Sequence, residues 1–155
     1  MDLSVMLDGV KFNYRAGLLI INNNKLLVEC NPIYDFVTIP GGRVKTLESS
    51  IDALLRELEE EMHITISKEE IQFKSVIENF FELDNKRVHE LYMLYKMNID
   101  DKDKRFKDNM INYDSENCYY KWVDIDKLEE VNLLPKPIRN ICNNDNIESI
   151  IVNNL

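Results

Sequence analysis

Cysteine is scarce in this chain, and the little there is does not pair. Cys30, Cys118 and Cys142 are odd in number, far apart, and form no CxxC. Neither a disulfide framework nor a zinc motif is expected, and the thiols read as reduced. No apolar run approaches the roughly 20 residues of a membrane span. The opening MDLSVMLDGV carries Asp2 and no cationic stretch, unlike a secretory signal. These absences lead to the expectation of a cytoplasmic protein without a membrane partner. An excess of positive charge is missing too. Lys and Arg number 19 against 28 Asp and Glu, a formal net charge of −9, which opposes binding to nucleic acid or an anionic surface. The one basic cluster, DKDKRFKD, holds Lys102, Lys104, Arg105 and Lys107 but is flanked by Asp100, Asp101, Asp103 and Asp108. It reads as a solvated loop rather than a phosphate contact. Repeats and low-complexity linkers are also lacking. The 155 residues then make one domain, 1–155, long enough to bury a core.

What is present has two periods. YRAGLLIINNNKLLVEC reads as a β-hairpin with its turn at Asn22 to Asn24, and FVTI (36–39) as a short strand stopped by Pro40-Gly41-Gly42. Ile51, Leu54, Leu55, Leu58 and Met62 then recur at helical spacing. IQFKSVIENFFEL and RVHELYMLYKMNI alternate like strands around a turn at Asp84-Asn85-Lys86, and CYYKWV reads as a last strand. Residues 100–117 read as a loop. DIDKLEEV and PKPIRNICNN look like short closing helices, capped at Asp124 or Asp126 and opened near Pro135 or Pro137. Strands and helices that mix without strict alternation predict a mixed sheet covered by helices.

The helix carries an unusual charge pattern. In RELEEE, Glu57, Glu60 and Glu61 fall at i, i+3 and i+4, on one face. Like charges there destabilise by roughly 0.2 to 0.5 kcal/mol per pair. A cation among them would remove that penalty. Oxygen-only ligands suit a hard ion such as Mg²⁺, with Mn²⁺ as the alternative, and leave positions open for phosphate oxygens and water. Small Ser50 and Ala53 on the same face leave room beside the glutamates. Gly41-Gly42 lets backbone approach closely. Glu48 is expected to open the helix, where the macrodipole favours a carboxylate. Arg56, two turns on from Glu48 and one before Glu60, is placed to fix carboxylates.

Gly42, Glu48, Arg56-Glu57 and Glu60-Glu61, with aliphatic Leu58 and Ile64, together resemble the signature of the Nudix hydrolases. That signature is a Gly, five residues, a Glu, seven residues, then Arg-Glu-aliphatic-any-Glu-Glu-any-Gly-aliphatic. The hairpin, the PGG entry and Trp122-Val123 before a short helix also resemble the family. The resemblance implies an α/β class fold, an α/β/α sandwich around a mixed sheet. It implies a hydrolase of nucleoside diphosphates linked to another moiety. Glu57, Glu60 and Glu61 match the family's metal ligands, with Glu57 often doubling as the base. The Gly42 carbonyl matches a further ligand, and Glu48 and Arg56 match supporting positions. Glu116, before the last strand, matches a region from which related enzymes draw one more carboxylate. His63 stands where the family has Gly after the helix, a position that usually takes the left-handed conformation. His enters that region more readily than most residues.

The expected activity is Mg²⁺-dependent hydrolysis of a small nucleotide, with a (d)NTP or damaged (d)NTP first. A nucleotide sugar or dinucleotide is the enzymatic alternative, and a non-catalytic nucleotide sensor the other class. Three matched carboxylates favour the enzyme. In the family, a proline about sixteen residues after the motif accompanies ADP-ribose activity. Here that stretch is Asn79-Phe80-Phe81. Phe80, Phe81, Tyr92, Tyr14 and Tyr34 could stack a base or fill the core. His89-Glu90 reads as a strand pair. The oligomeric state is open, with a homodimer among the alternatives.

Overall fold

Thirteen residues, Val10–Asn22, form the longest run through the middle of the molecule apart from its parallel neighbour. This strand, β2, is apolar on both faces because both faces are covered. Ala16, Leu18 and Ile20 pack toward one layer, Leu19 and Ile21 toward the other. The computed structural model describes residues 1–155 and contains one ten-stranded sheet. The strands are β1 (Ser4–Leu7), β2, β3 (Lys25–Cys30), β4 (Val37–Thr38), β5 (Gly41–Arg43), β6 (Gln72–Leu83), β7 (Lys86–Ile99), β8 (Met110–Ile111), β9 (Tyr119–Asp124) and β10 (Glu148–Asn153). Their order is β10-β6-β7-β2-β3-β9-β8, with β1 and β5 on β2 and β4 on β3. Pairing is parallel in β2/β7 and β10/β6 and antiparallel elsewhere. The sheet is therefore mixed, as expected.

Two helical layers complete the sandwich. Helix α1 (Ser50–Met62) lays Ala53, Leu54, Leu58 and Met62 against Leu18, Ile20, Tyr95 and Met97. On the other face, Ile125, Leu128 and the short α2 (Ile138–Ile141) pack on Leu19, Ile21, Ile77 and Leu94. No helix is long and apolar enough to cross a membrane.

Several expectations need adjustment. FVTI contributes only the two residues of β4, because Ile39 and Pro40 already turn toward β5. Gly41-Gly42 is itself part of a strand rather than a turn. DIDKLEEV makes one 3₁₀ turn, Ile125–Lys127, without a side-chain cap from Asp124. α2 spans four residues of PKPIRNICNN, with Pro137 at its N-cap. The hairpin turns are as read: Asn23, Asp84 and Asn85 all take positive φ, where Asn and Asp are tolerated. The DKDKRFKD loop is neutralised by acids, with Arg105 paired to Asp103 within the loop and to Glu70 just before β6.

The strand β2 touches β3 only at Ile21↔Leu26 and Asn22↔Lys25. Beyond that the two diverge: β5 pairs with β2 at Arg15, Ala16 and Gly17, and β4 with β3 at Glu29 and Cys30. The split opens a cavity of about 590 Å³ lined by residues from β2, β3, β6 and β7 and by the segment after β3.

Candidate active site

Helix α1 begins at Ser50, two residues after the Glu48 expected to open it. Ser49 is the N-cap, its Oγ accepting from the Asp52 amide at 3.2 Å. Glu48 lies outside the helix and is free to point back along it. The helix ends at His63, whose φ of 55° and ψ of 37° put it in the left-handed region, the conformation anticipated for the position occupied by Gly in the resembling motif. The His63 ring stacks on Tyr113 with centroids 3.7 Å apart and planes 9° from parallel. The Tyr113 amide donates to the Glu61 carbonyl at 2.8 Å. The departure from Gly thus gains a partner: His63 clamps the segment before β9 to the end of α1.

Arg56 is the hub. A guanidinium has five N–H donors, and all five are used. Nε donates to Glu48 Oε1 at 2.8 Å, and Nη2 to Glu48 Oε2 and the Arg43 carbonyl, both at 3.0 Å. Nη1 donates to Glu57 Oε1 at 2.8 Å and Glu60 Oε2 at 3.0 Å. The Lys45 amide adds a bond to Glu48 at 2.8 Å. Hydrogen bonding from Arg56 holds the Glu48 carboxyl below the ordinary range, and Glu48 in turn raises Arg56 further.

Glu57 is buried. It can be so because Gly42 has no side chain: a Cβ there would run into the Glu57 carboxylate. Gly41 is needed for a separate reason, since at φ 147° its Cβ would strike the Ala16 carbonyl oxygen. Ser50 and Ala53 do not leave open space beside the glutamates. They are buried against the sheet, with Ser50 Oγ 2.7 Å from the Tyr95 hydroxyl. The buried face of α1 is therefore rotated toward Ser50, Ala53 and Glu57, and Ile51 and Leu55 are only partly covered.

Glu61 faces inward. The Tyr120 hydroxyl donates to its Oε2 at 3.0 Å, and Asn112 Nδ2 donates to Tyr120 at 3.0 Å. Burial, with Glu29 and Glu57 nearby, pushes the Glu61 carboxyl up to about 8. Burial also raises Glu29, which Arg15 partly offsets. Glu29 belongs both to this acidic cluster and to the cavity. As the side chains stand, no three acidic, Cys or His groups converge as a ligand set, and Arg56 bridges Glu57 and Glu60 instead.

Glu116 makes no hydrogen bond to the cluster. It is exposed beside positive-φ Asn117, and the residues that reach Glu61 are Asn112 and Tyr120. Of the five aromatics, Tyr34, Phe81 and Tyr92 line the cavity. Phe80 packs on His89, and Tyr14 on the core under α1. Sequence reasoning missed Glu29, Tyr120, Asn112 and Arg15. A faint signal existed for Glu29, an acid inside the apolar run KLLVEC; for the others the sequence offers none.

The NUDIX domain family description matches residues 11–141. Among solved structures, the MutT protein from Bacillus halodurans superposes with a TM-score of 0.66 at 16% identity, covering 92% of this chain and 91% of that one. The MutT protein from Methanosarcina mazei gives 0.57 at 21%, covering 88% and 94%. A C. elegans Ap4A hydrolase gives 0.55 at 22%, covering 84% and 92%. Among curated proteins none matches the chain.

Proposed function

The chain belongs to the Nudix family, whose pyrophosphohydrolases act on nucleoside diphosphate derivatives and generally need divalent metal ions, and from that premise we propose that it cleaves a small nucleoside triphosphate with Mg²⁺. The observation that carries the reading is the Arg56 hub, which gathers Glu48, Glu57 and Glu60, with Glu29 linking this acidic cluster to the nucleoside-sized cavity that it lines. The donors are all oxygens, and Gly42 leaves Glu57 lying against bare backbone, which suits a hard cation. Glu57, Glu60, Glu61 and the Gly42 carbonyl would hold it. When bound, the ion would neutralise phosphate oxygens and acidify a bound water.

The chain's own residues do the rest. Glu57 takes the proton of the attacking water. The water oxygen bonds to one phosphorus of the α–β bridge as its bridging P–O bond breaks, and that electron pair leaves with the departing pyrophosphate or nucleoside monophosphate. The products are a nucleoside monophosphate and pyrophosphate. Arg56 orients Glu57 and Glu60, and Glu48 orients Arg56. Tyr120 orients Glu61. Tyr34, Phe36 and Phe81 offer aromatic surface to the base. Of the three structural neighbours named above, two are MutT proteins and one is an Ap4A hydrolase, so dinucleotide polyphosphates belong in the test.

The test is product analysis over deoxynucleoside triphosphates, dinucleotide polyphosphates and nucleotide sugars with Mg²⁺ or Mn²⁺. Monophosphate and pyrophosphate from triphosphates are expected. Cleavage confined to dinucleotides or nucleotide sugars would replace the substrate. Nucleotide binding without any turnover would make the chain a sensor.

A further inference from the structure

The cavity floor contains two opposite charges that do not neutralise each other. Arg15 on β2 and Glu90 on β7 both line it. Glu90 is the acid that acts most strongly on Arg15, yet the two form no ion pair. The Arg15 Nε is buried without a hydrogen-bond partner, and its guanidinium carbon lies 5.8 Å from the Tyr92 ring centroid. Glu90 is 5% exposed. Its one side-chain hydrogen bond comes from Asn79 Nδ2 to Oε1, at 3.4 Å. That leaves the second oxygen without a protein partner and available to a ligand donor. Above this floor, Tyr34 and Phe36 stack at 4.9 Å and 22° and form one wall.

Buried donors and acceptors left unmatched are costly. A ligand that fits must offer Arg15 an acceptor and Glu90 a donor, and must be flat enough to lie along the aromatic wall. Four acidic side chains line the cavity against two basic ones, which disfavours a phosphate inside and favours a neutral base. A lactam edge, C=O beside N–H, meets both needs. Its N–H is more acidic than an aromatic amine and so makes the stronger charge-assisted bond to a carboxylate. Its carbonyl oxygen has two lone pairs for a guanidinium, where a ring nitrogen has one.

We propose that Arg15 and Glu90 read the lactam edge of a keto nucleobase, so that guanine, hypoxanthine, uracil or thymine nucleotides are preferred over adenine and cytosine nucleotides. This rests on the nucleoside triphosphate reading above.

The experiment measures kcat/KM of the full chain with Mg²⁺ for dGTP and dUTP against dATP and dCTP. The keto pair should lead by about tenfold or more, the scale of one mismatched buried hydrogen bond. Glu90→Gln, whose amide can both donate and accept, should bring the ratio close to one. Arg15→Lys should also shrink it, and supplies the same readout if Glu90→Gln does not fold. The wild-type ratio needs neither variant. Equal values, a lead for the amino bases, or a keto preference untouched by both substitutions would overturn the proposal. Failure of all four triphosphates to turn over would remove the triphosphate reading and this one with it, and is recognised by missing products rather than by a ratio.

Discussion

Arg56 has five donors, each matched to an acceptor oxygen on Glu48, Glu57, Glu60 or Arg43, and lysine has three donors on a flexible stem. Arg56→Lys should therefore cost about 1 to 3 kcal/mol of stability, the range for bonds to charged groups. It should also lower kcat by more than tenfold, because Glu57 and Glu60 lose their shared brace. Denaturant titration and turnover check the two effects separately. Glu57→Gln is expected to behave differently. It keeps the shape that Gly42 accommodates and removes the proton acceptor, so kcat should fall by about a hundredfold or more while the melting temperature changes little. A Glu57→Gln enzyme that turns over normally would remove Glu57 from the chemistry. His63 carries two opposed contributions. Replacing it by Gly relieves a left-handed residue, worth about 0.5 to 1 kcal/mol, but loses a ring stack worth about 0.5 to 1.5 kcal/mol. His63→Gly should be nearly neutral, and a double-mutant cycle with Tyr113→Ala should show coupling of about 0.5 to 1.5 kcal/mol. Zero coupling would mean that the stack contributes nothing.

At the scale of elements, α1 and β5 depend on each other through Gly42. Gly42→Ala puts a Cβ where the Glu57 carboxylate lies. Either β5 shifts off β2 or Glu57 leaves its position, so the substitution should destabilise by about 1 to 3 kcal/mol and depress turnover together. Retained activity in Gly42→Ala would show that the Glu57 position is not needed for the reaction. The helix was readable from its periodicity, down to the left-handed His63, although its N-cap at Ser49 was not. Nor was its buried face. Apolar spacing alone points to Ile51 and Leu55, but the tertiary contact with Tyr95 and Gly42 turns Ser50, Ala53 and Glu57 inward. The strand β10 was missed for a related reason: it pairs in parallel with β6, some seventy positions earlier in sequence. Lys74, 4% exposed, holds its approach by donating to Asn144 and Asn146. None of these partners is near in sequence.

For the whole molecule, acid sensitivity follows from ion pairs away from the carboxylate cluster. Arg105 donates to Asp103 and Glu70, and both acids are held below their ordinary values of 3.8 and 4.5. A depressed folded-state pKa adds stability that is present above the unfolded value and lost as pH falls through the folded one. The melting temperature should therefore fall as pH drops below about 4.5, and Arg105→Gln should flatten that slope. A wild-type slope unchanged by Arg105→Gln would assign the acid limb elsewhere. Chelation tests the cation requirement at the same scale. Turnover should vanish with EDTA and return with Mg²⁺ or Mn²⁺, and full activity in chelator would contradict the family's need for divalent ions.

Local chemistry was sufficient for the family, the helix and its left-handed end at His63, the hairpin turns at Asn23 and Asp84-Asn85, and the acidic face at Glu57, Glu60 and Glu61, because each is set by spacing within a few turns of chain. The mixed sheet followed from the order of strands and helices. Only the tertiary structure decided that Arg56 would be saturated by five acceptors, since the Arg43 carbonyl and Glu48 come from outside the helix. It also decided that Tyr120 and Asn112, rather than Glu116, would reach Glu61. The cavity belongs to that second class. It exists because β2 and β3 part after two residue pairs and leave Arg15, Glu29 and Glu90 around one space. Those three residues are scattered over β2, β3 and β7, and strand divergence is a property of the assembled sheet that no stretch of sequence encodes by itself.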